Sequence, residues 1–418
     1  MTTALYILAA LYTLLLLLRW WLSHSYASRL PPAPKEPLPP GALTVAQAVL
    51  SGDPLLESRL VANLNALKDQ TILWLIDEND REAVRLSEKL DRPNLVVQRC
   101  PPCPDATNPK LWKLRIAAPL VQTPFFAVVD DDTLLSAESA ALLVEAAKTH
   151  TVATGLPCYM SKGLTSGLLA QFVNNNSVFT YLGTSRLLPP FTLNGMGYAM
   201  RTEELGRIGH FNPILHELTD DLALATLVLK QGGTIHQSAA PLQVQTGVRD
   251  LTHYWQMMHR WYVFTMLLLQ RQRIPAQALI FVLHGLPPLL MVAMLVLVHL
   301  AGLSLSWLVV MGIVPLWFVR QQNYGPILAV ILFRGFAAAA QQSLPLSTLA
   351  LLLLMRGIIL GEAQRKHFLK RLHRPFTSIL SELIQPLHLI HSLCSRTIRW
   401  RTRLYKVRDT NDFHEVGG

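Results

Sequence analysis

The run Phe125-Phe126-Ala127-Val128-Val129 gives way without transition to Asp130-Asp131-Asp132. A short apolar run bounded by Pro124 and by charge reads as a strand buried on both faces, as in a parallel sheet covered by helices. Three adjacent carboxylates repel one another, so stability does not account for them. At the carboxyl end of a buried strand, where open α/β sheets bind ligands, they suit a divalent cation. A solvated turn capping the next helix, with Asp132 or Thr133 at its start, is the alternative this run leaves open by itself.

The surroundings repeat the pattern. Thr71–Asp77 is a second apolar strand ending in an acid, 94–99 a third, and 150–155 and 197–201 two more, while an opening strand around 43–48 is weakly marked. Helical periods fall between them, at 54–68, 81–90, 109–119, 136–148 and 203–209. Alternation of this kind predicts an α/β domain over 41–250 with a mostly parallel sheet covered on both faces.

Both ends of the chain are different. Half of all residues (51%) are hydrophobic and only 15% are charged, too few charges for a wholly soluble enzyme of 418 residues. Residues 1–24 hold an apolar run closed by Arg19-Trp20-Trp21, with no cleavage site after it. They read as an uncleaved anchor followed by a stiff Pro-rich linker, 25–40. Residues 251–274 mix Trp, Met and Phe with Arg and predict an interfacial helix. Residues 275–361 predict transmembrane helices at 277–302 and 303–319 and a tight helical hairpin from 326 to 360, a single span with a re-entrant piece being the other reading.

The tail, 362–418, is basic. Between Arg365 and Arg408 stand eleven Lys and Arg against one acid, Glu382, which accounts for the net charge of +10. A basic segment directly after apolar spans indicates a bilayer with anionic headgroups rather than nucleic acid. Cys100-Pro-Pro-Cys103 reads as two free thiols, because Cys158 and Cys394 are too distant to complete a site.

Within the α/β domain three acidic sites stand out: Asp77 with Asp80, Asp130 with Asp132, and Asp220-Asp221 opening an apolar helix. Each has a bland reading, and a carboxylate at a helix start suits the dipole. Together they divide the labour of a glycosyl transfer. Asp130 and Asp132 would hold Mg²⁺ or Mn²⁺ against a leaving diphosphate, Asp77 or Asp80 would bond the base or ribose, and a separate carboxylate would deprotonate the acceptor hydroxyl. Asp131 would face away.

On these residues the sequence resembles the membrane-bound GT-A (Rossmann-like) glycosyltransferases of the family-2 type, closest to the ceramide glucosyltransferase branch. The matching pieces are Gly52-Asp53-Pro54, Asp77 to Asp80, Asn108-Pro109-Lys110, Asp130-x-Asp132, Thr219-Asp220-Asp221, Arg260-Trp261 and Ile398-x-Trp400-Arg401-x-x-x-Tyr405. The resemblance implies Asp221 as general base, with Asp220 as its partner. It implies Lys110 near the diphosphate, Gly195 in the loop beneath the donor sugar, and Arg260 with Trp261 at the diphosphate or the acceptor entrance. His210 or His216 would be a further ligand or a plain loop histidine.

The implied activity is inverting, metal-dependent transfer of one sugar from a UDP-sugar, UDP-glucose first, to a membrane lipid hydroxyl. The acceptor would be ceramide-like, diacylglycerol or a hopanoid-type lipid. The protein would be multi-pass with a cytosolic catalytic domain, in a bacterial inner membrane or, in a eukaryote, a Golgi-type membrane. Two other readings share many of these residues. One is a processive polysaccharide synthase, for which more spans are expected. The other is a non-catalytic membrane scaffold or transporter with a decayed transferase domain, for which a lost carboxylate site is expected.

Overall fold

The computed structural model describes residues 2–161, 163–301, 344–370, 372–400, 403–409 and 413–416. The chain opens with helix α1 (Thr2–Ala27). The α/β region then runs β1 (Leu43–Val49), α2 (Leu56–Ala66), β2 (Thr71–Asp77), α3 (Arg81–Lys89), β3 (Leu95–Cys100), α4 (Pro109–Ala117) and β4 (Phe125–Val129). It continues with β5 (Thr133–Leu134), α5 (Ala137–Ala147), β6 (Val152–Tyr159), α6 (Thr165–Ser177), β7 (Gly197–Arg201), α7 (Thr202–Arg207), α8 (Asp220–Lys230) and β8 (Ile235–Val244). After it come α9 (Leu251–Gln270), α10 (Ile274–Ile280), α11 (Leu286–Leu300), α12 (Leu344–Phe368), α13 (Pro375–Leu383), α14 (Gln385–Cys394) and strands β9 (Thr397–Trp400), β10 (Arg403–Val407) and β11 (Phe413–Glu415).

Eight strands form one sheet in the order β3-β2-β1-β4-β7-β6-β8-β5. Strand β4 shows why the apolar run reads as it does. Phe126, Ala127, Val128 and Val129 are all fully buried. Phe126 and Val128 pack with Leu73, Leu75 and α4 on one face, and Ala127 and Val129 with Ile72, Trp74 and α5 on the other. Fully burying a side chain such as Val or Phe contributes about 1.5–3 kcal/mol, so continuous hydrophobicity here stabilises two cores at once.

The sheet is mixed but mostly parallel, as expected, because six of its eight strands run in one direction, β6 and β8 pairing in parallel as well. Strands β1 to β4 pair in parallel, but β7 runs antiparallel between β4 and β6, and β5 antiparallel to β8. Hydrophobic periodicity carries no information on strand direction, which is set by how the chain returns after α6. The weakly marked opening strand proves to be central, pairing with both β2 and β4. Strand β8, with its alternating burial, was not among the expected elements.

Helices α1, α12 and the joined segment Ile274–Leu300 are each long and apolar enough to cross a membrane. They pack on one another and on the π-helical turn Val178–Gly183 that follows α6. Arg19, expected as a flanking charge, is buried and donates to Asn176 Oδ1 at 3.0 Å. The span expected at 303–319 lies outside the described residues, as does the first limb of the hairpin; its second limb falls within the single continuous helix α12. Helix α9, expected to lie on a bilayer, packs against α6 and α14 through Tyr254, Met257 and Met258. The tail folds back onto the domain: Ser378 in α13 accepts from Asn175 in α6 at 2.9 Å. Arg401 of the expected tail motif lies outside the described residues.

Candidate active site

The site begins at Asn108. Its Oδ1 accepts from the backbone N–H groups of Lys110 and Leu111 (3.0 and 3.3 Å), and Pro109 takes the first helical position, so Asn-Pro starts α4 as an N-cap. The Asn108 amide donates to the carbonyls of Glu217 and Leu218 at 3.0 and 3.1 Å. This crosslink holds the segment just before α8 against the start of α4. Lys110 therefore meets Asp220 at the start of α8.

Lys110 Nζ lies 2.7 Å from Asp130 Oδ1 and 2.7 Å from Asp220 Oδ2, and donates to the Gly195 carbonyl at 2.9 Å. Burial works to lower its pKa, yet Asp130 and Asp220 hold the ammonium well above its ordinary value. Antiparallel pairing sets Gly197 opposite Val129, and Asp130 N donates to the Met196 carbonyl at 3.1 Å. The Gly195 loop is thereby fixed beside the carboxylates. A Cβ at Gly195 would sit 3.2 Å from Asp221 Oδ2, so the absence of a side chain admits that carboxylate.

Asp221 and Asp220 are neighbours with different surroundings. Asp221 Oδ1 accepts from Leu222 N at 2.8 Å, and among the described residues no lysine bridges it as Lys110 bridges Asp220. Burial, and then the charge of Asp220, push the Asp221 carboxyl up to about 7. Asp132 accepts from the hydroxyls of Thr246 (2.5 Å) and Thr133 (3.1 Å). Asp131 does not face away, as expected from sequence. It lines the same cavity and accepts from Leu50 N at 2.9 Å, joining the end of β1 to the turn after β4.

These groups line one cavity of about 1760 Å³. Asp130, Asp132, Lys110, Gly195, Asp220 and Asp221 form its polar end, and Arg260 and Trp261 of α9 also line it. Trp261 stands edge-on to Tyr159 with centroids 5.9 Å apart. The cavity then extends to apolar side chains of the helices that follow, among them Phe264, Leu268, Phe281 and Leu289. Sequence reasoning did not single out Lys113, which bonds Asp77 Oδ2 and the Val49 carbonyl at 2.9 Å each and lines the cavity. Its place on the inner face of α4, one turn from Lys110, was the available signal.

Asp77 and Asp80 do not line the cavity. Asp77 reaches it through Lys113. Asp80 caps α3, accepting from Ala83 N at 3.1 Å and from Ser51 N at 3.0 Å. Burial opposes ionisation of Asp80, but these bonds and Lys113 hold it below its ordinary range. His216 lies in a loop, with Nδ1 2.8 Å from the Ala106 carbonyl, and His210 sits in a left-handed turn with φ 52°. Neither lines the cavity.

A sequence model of glycosyl transferase family 21 matches residues 3–324. The chain belongs to that family. Sugar transfer is therefore its reaction class, and the α/β sheet with apolar helices at both ends is the architecture expected of a membrane-attached GT-A enzyme. No curated protein matches the chain. Among solved structures, a mannosyltransferase from Pyrobaculum calidifontis in complex with GDP-Man and Mn²⁺ is similar at 15% identity and TM-score 0.47, over 88% of this chain and 98% of the other. GalNAc-T7 with UDP, GalNAc and Mn²⁺ is similar at 11% identity and TM-score 0.37, over 50% of this chain and 44% of the other.

The donor set of this family 21 member fits a divalent cation. Burial, opposed by Lys110 and reinforced by Asp132 and Asp220, pushes Asp130 up to about 6, and Asp130, Asp132, Asp220 and Asp221 share the polar end with the Lys110 ammonium. Among the described residues no three His, Cys, Asp or Glu side chains form a complete cage. Two carboxylates with the remaining positions left to phosphate and water are the usual arrangement for Mg²⁺ beside a nucleotide.

Proposed function

We propose that this glycosyltransferase moves a single sugar from a UDP-sugar, UDP-glucose first, to the hydroxyl of a membrane lipid, with inversion and with a divalent metal. The observation that carries the reading is the continuity of the cavity. Asp130, Asp132, Asp220 and Asp221 line the same cavity as apolar side chains of α9 and the candidate span Ile274–Leu300. A lipid can lay its chains along that apolar wall and bring its hydroxyl to the carboxylates.

Asp221 takes the proton from the acceptor hydroxyl, whose oxygen attacks the anomeric carbon as the bond to the diphosphate breaks on the opposite face. Mg²⁺ or Mn²⁺ held through Asp130 and Asp132 would offset the charge of the leaving diphosphate. Lys110 adds a positive charge at the same place and keeps Asp220 oriented. Arg260 lines the same cavity and would meet either the diphosphate or the lipid headgroup, and Trp261 would wall the cavity beside it. Asp77 or Asp80 would bond the base or ribose only where the nucleotide reaches past Lys113, since neither lines the cavity itself. The catalytic domain would lie on the cytosolic side, where nucleotide sugars are available, with the basic tail against anionic headgroups.

The test is incubation of the purified protein with a panel of UDP-sugars and lipid acceptors, read by mass spectrometry. One added hexose on a lipid is expected. A polymer would favour a processive synthase. Failure to bind any UDP-sugar in Mg²⁺ or Mn²⁺ would favour the non-catalytic reading.

A further inference from the structure

His284 lies inside the candidate span Ile274–Leu300. An ionisable side chain in such a segment is costly unless it faces protein or a polar cavity. Here it faces both. Its Nδ1 is 3.4 Å from Thr180 Oγ1 and its Nε2 is 3.2 Å from Thr184 Oγ1, and the ring lines the large cavity beside Thr180 and Tyr181.

The contact joins two irregular pieces of helix. Thr180 belongs to the π-helical turn Val178–Gly183, Thr184 follows it directly, and His284 belongs to the π-helical turn Phe281–Gly285. Such turns are rare, cost regular hydrogen bonding and recur at functional sites. The imidazole also stands at a boundary. Toward the carboxylates is Tyr181, whose phenol is pushed above its ordinary value by burial and then by the charge of Asp221, so the two are within electrostatic reach. On its own helix, Phe281, Pro288 and Leu289 continue the apolar wall.

A neutral imidazole has one N–H and one lone pair, so it donates to one threonine hydroxyl and accepts from the other. In either tautomer the Thr180 hydroxyl keeps bonding capacity toward the cavity. We infer that Thr180 and His284 form the polar seat for the acceptor's headgroup. Thr180, held by His284, bonds a second polar group, an amide or a hydroxyl, carried next to the hydroxyl that receives the sugar. His284 is a positioning residue that sorts such lipids from plain long-chain alcohols. This assignment rests on the proposed transfer to a lipid.

The experiment compares kcat/KM for a long-chain alcohol with that for a hydroxy-amide lipid in the same detergent micelles, for the wild type and for His284→Leu. The wild type is expected to prefer the hydroxy-amide by roughly tenfold or more, the worth of about one or two hydrogen bonds. In His284→Leu the ratio should fall to near one through a raised KM for the hydroxy-amide, while KM for the UDP-sugar stays within about twofold. His284→Gln, which keeps a donor and an acceptor, should restore part of the preference. Thr180→Val should reduce it in the same way and serves if the leucine variant does not fold. An unchanged ratio, or an equal loss on both acceptors, overturns the role of His284 alone. Absence of transfer to any lipid by the wild type overturns the lipid reading and this assignment together.

Discussion

Asp220 and Asp221 are adjacent and chemically identical, and the fold assigns them different partners. Asp220 is 2.7 Å from the Lys110 ammonium, whereas Asp221 is half-buried beside Gly195 and pushed up to about 7. A general base works deprotonated, so kcat/KM should be full above about pH 7 and fall roughly tenfold per unit below it. Asp220→Asn removes the neighbouring charge and should move that limb to lower pH; a limb that stays in place would assign the shift to burial alone. Asp221→Asn should lower turnover by roughly 10²–10⁴-fold, the usual contribution of general base catalysis, and leave UDP-sugar binding measured by calorimetry largely intact. Near-normal turnover would remove Asp221 from the role. In the triplet, Asp132→Asn should cost far more activity than Asp131→Asn. The Asp131 bond is to the backbone of Leu50, and an asparagine oxygen can still accept it. The reverse order in a steady-state assay would undo the metal assignment. The residue types were legible in the sequence, but the Lys110 bridge was not. It depends on Asn108 reaching residues more than a hundred positions away.

At the scale of elements, the least expected feature is how α1, α12 and α13 are tied together. Arg356 of α12 lies 2.6 Å from Glu382 of α13, and the Tyr12 hydroxyl of α1 donates to the same carboxylate at 3.0 Å. Arg356 also donates to the Ser378 hydroxyl at 2.9 Å. Glu382, the lone acid between Arg365 and Arg408, is therefore a buried partner rather than a surface charge. Removing one member of such a pair leaves the other buried and unpaired, at a cost of about 3–5 kcal/mol. Glu382→Gln should accordingly lower the thermal unfolding temperature in detergent well below that of a surface exchange such as Glu362→Gln. Equal effects would show that water reaches Arg356. Residues 379–393 stand in the sequence only as an apolar stretch between cationic residues, with nothing to say what α13 and α14 cover. Their packing on α6 and α9 is decided by partners on other elements.

For the whole molecule, the cavity joins the carboxylate end of a soluble sheet to the wall of a candidate span. Metal should be needed at the first of these ends only. Chelation should abolish sugar transfer and added Mn²⁺ or Mg²⁺ should restore it, with no change in the circular dichroism of the helices. Transfer at full rate after exhaustive chelation would remove Asp130 and Asp132 from metal binding.

The sequence by itself determined most strands and helices of the α/β region, β8 and α6 excepted, the apolar segments around it and the identity of nearly every charged group at the polar end. These are written in local periodicity and in residue chemistry, which a short window carries. The reversed direction of β5 and β7, the central place of β1, the contrast between Asp220 and Asp221 and the arrival of His284 beside Thr180 were decided only by tertiary structure. Each depends on groups brought together across long sequence separations, where burial and the nearest charge, not residue type, set what a side chain does. The aspartate triplet after β4 shows both halves of this. Its strand and its charge were legible at once, whereas the bonds that separate Asp130, Asp131 and Asp132 come from Lys110, Leu50 and Thr246.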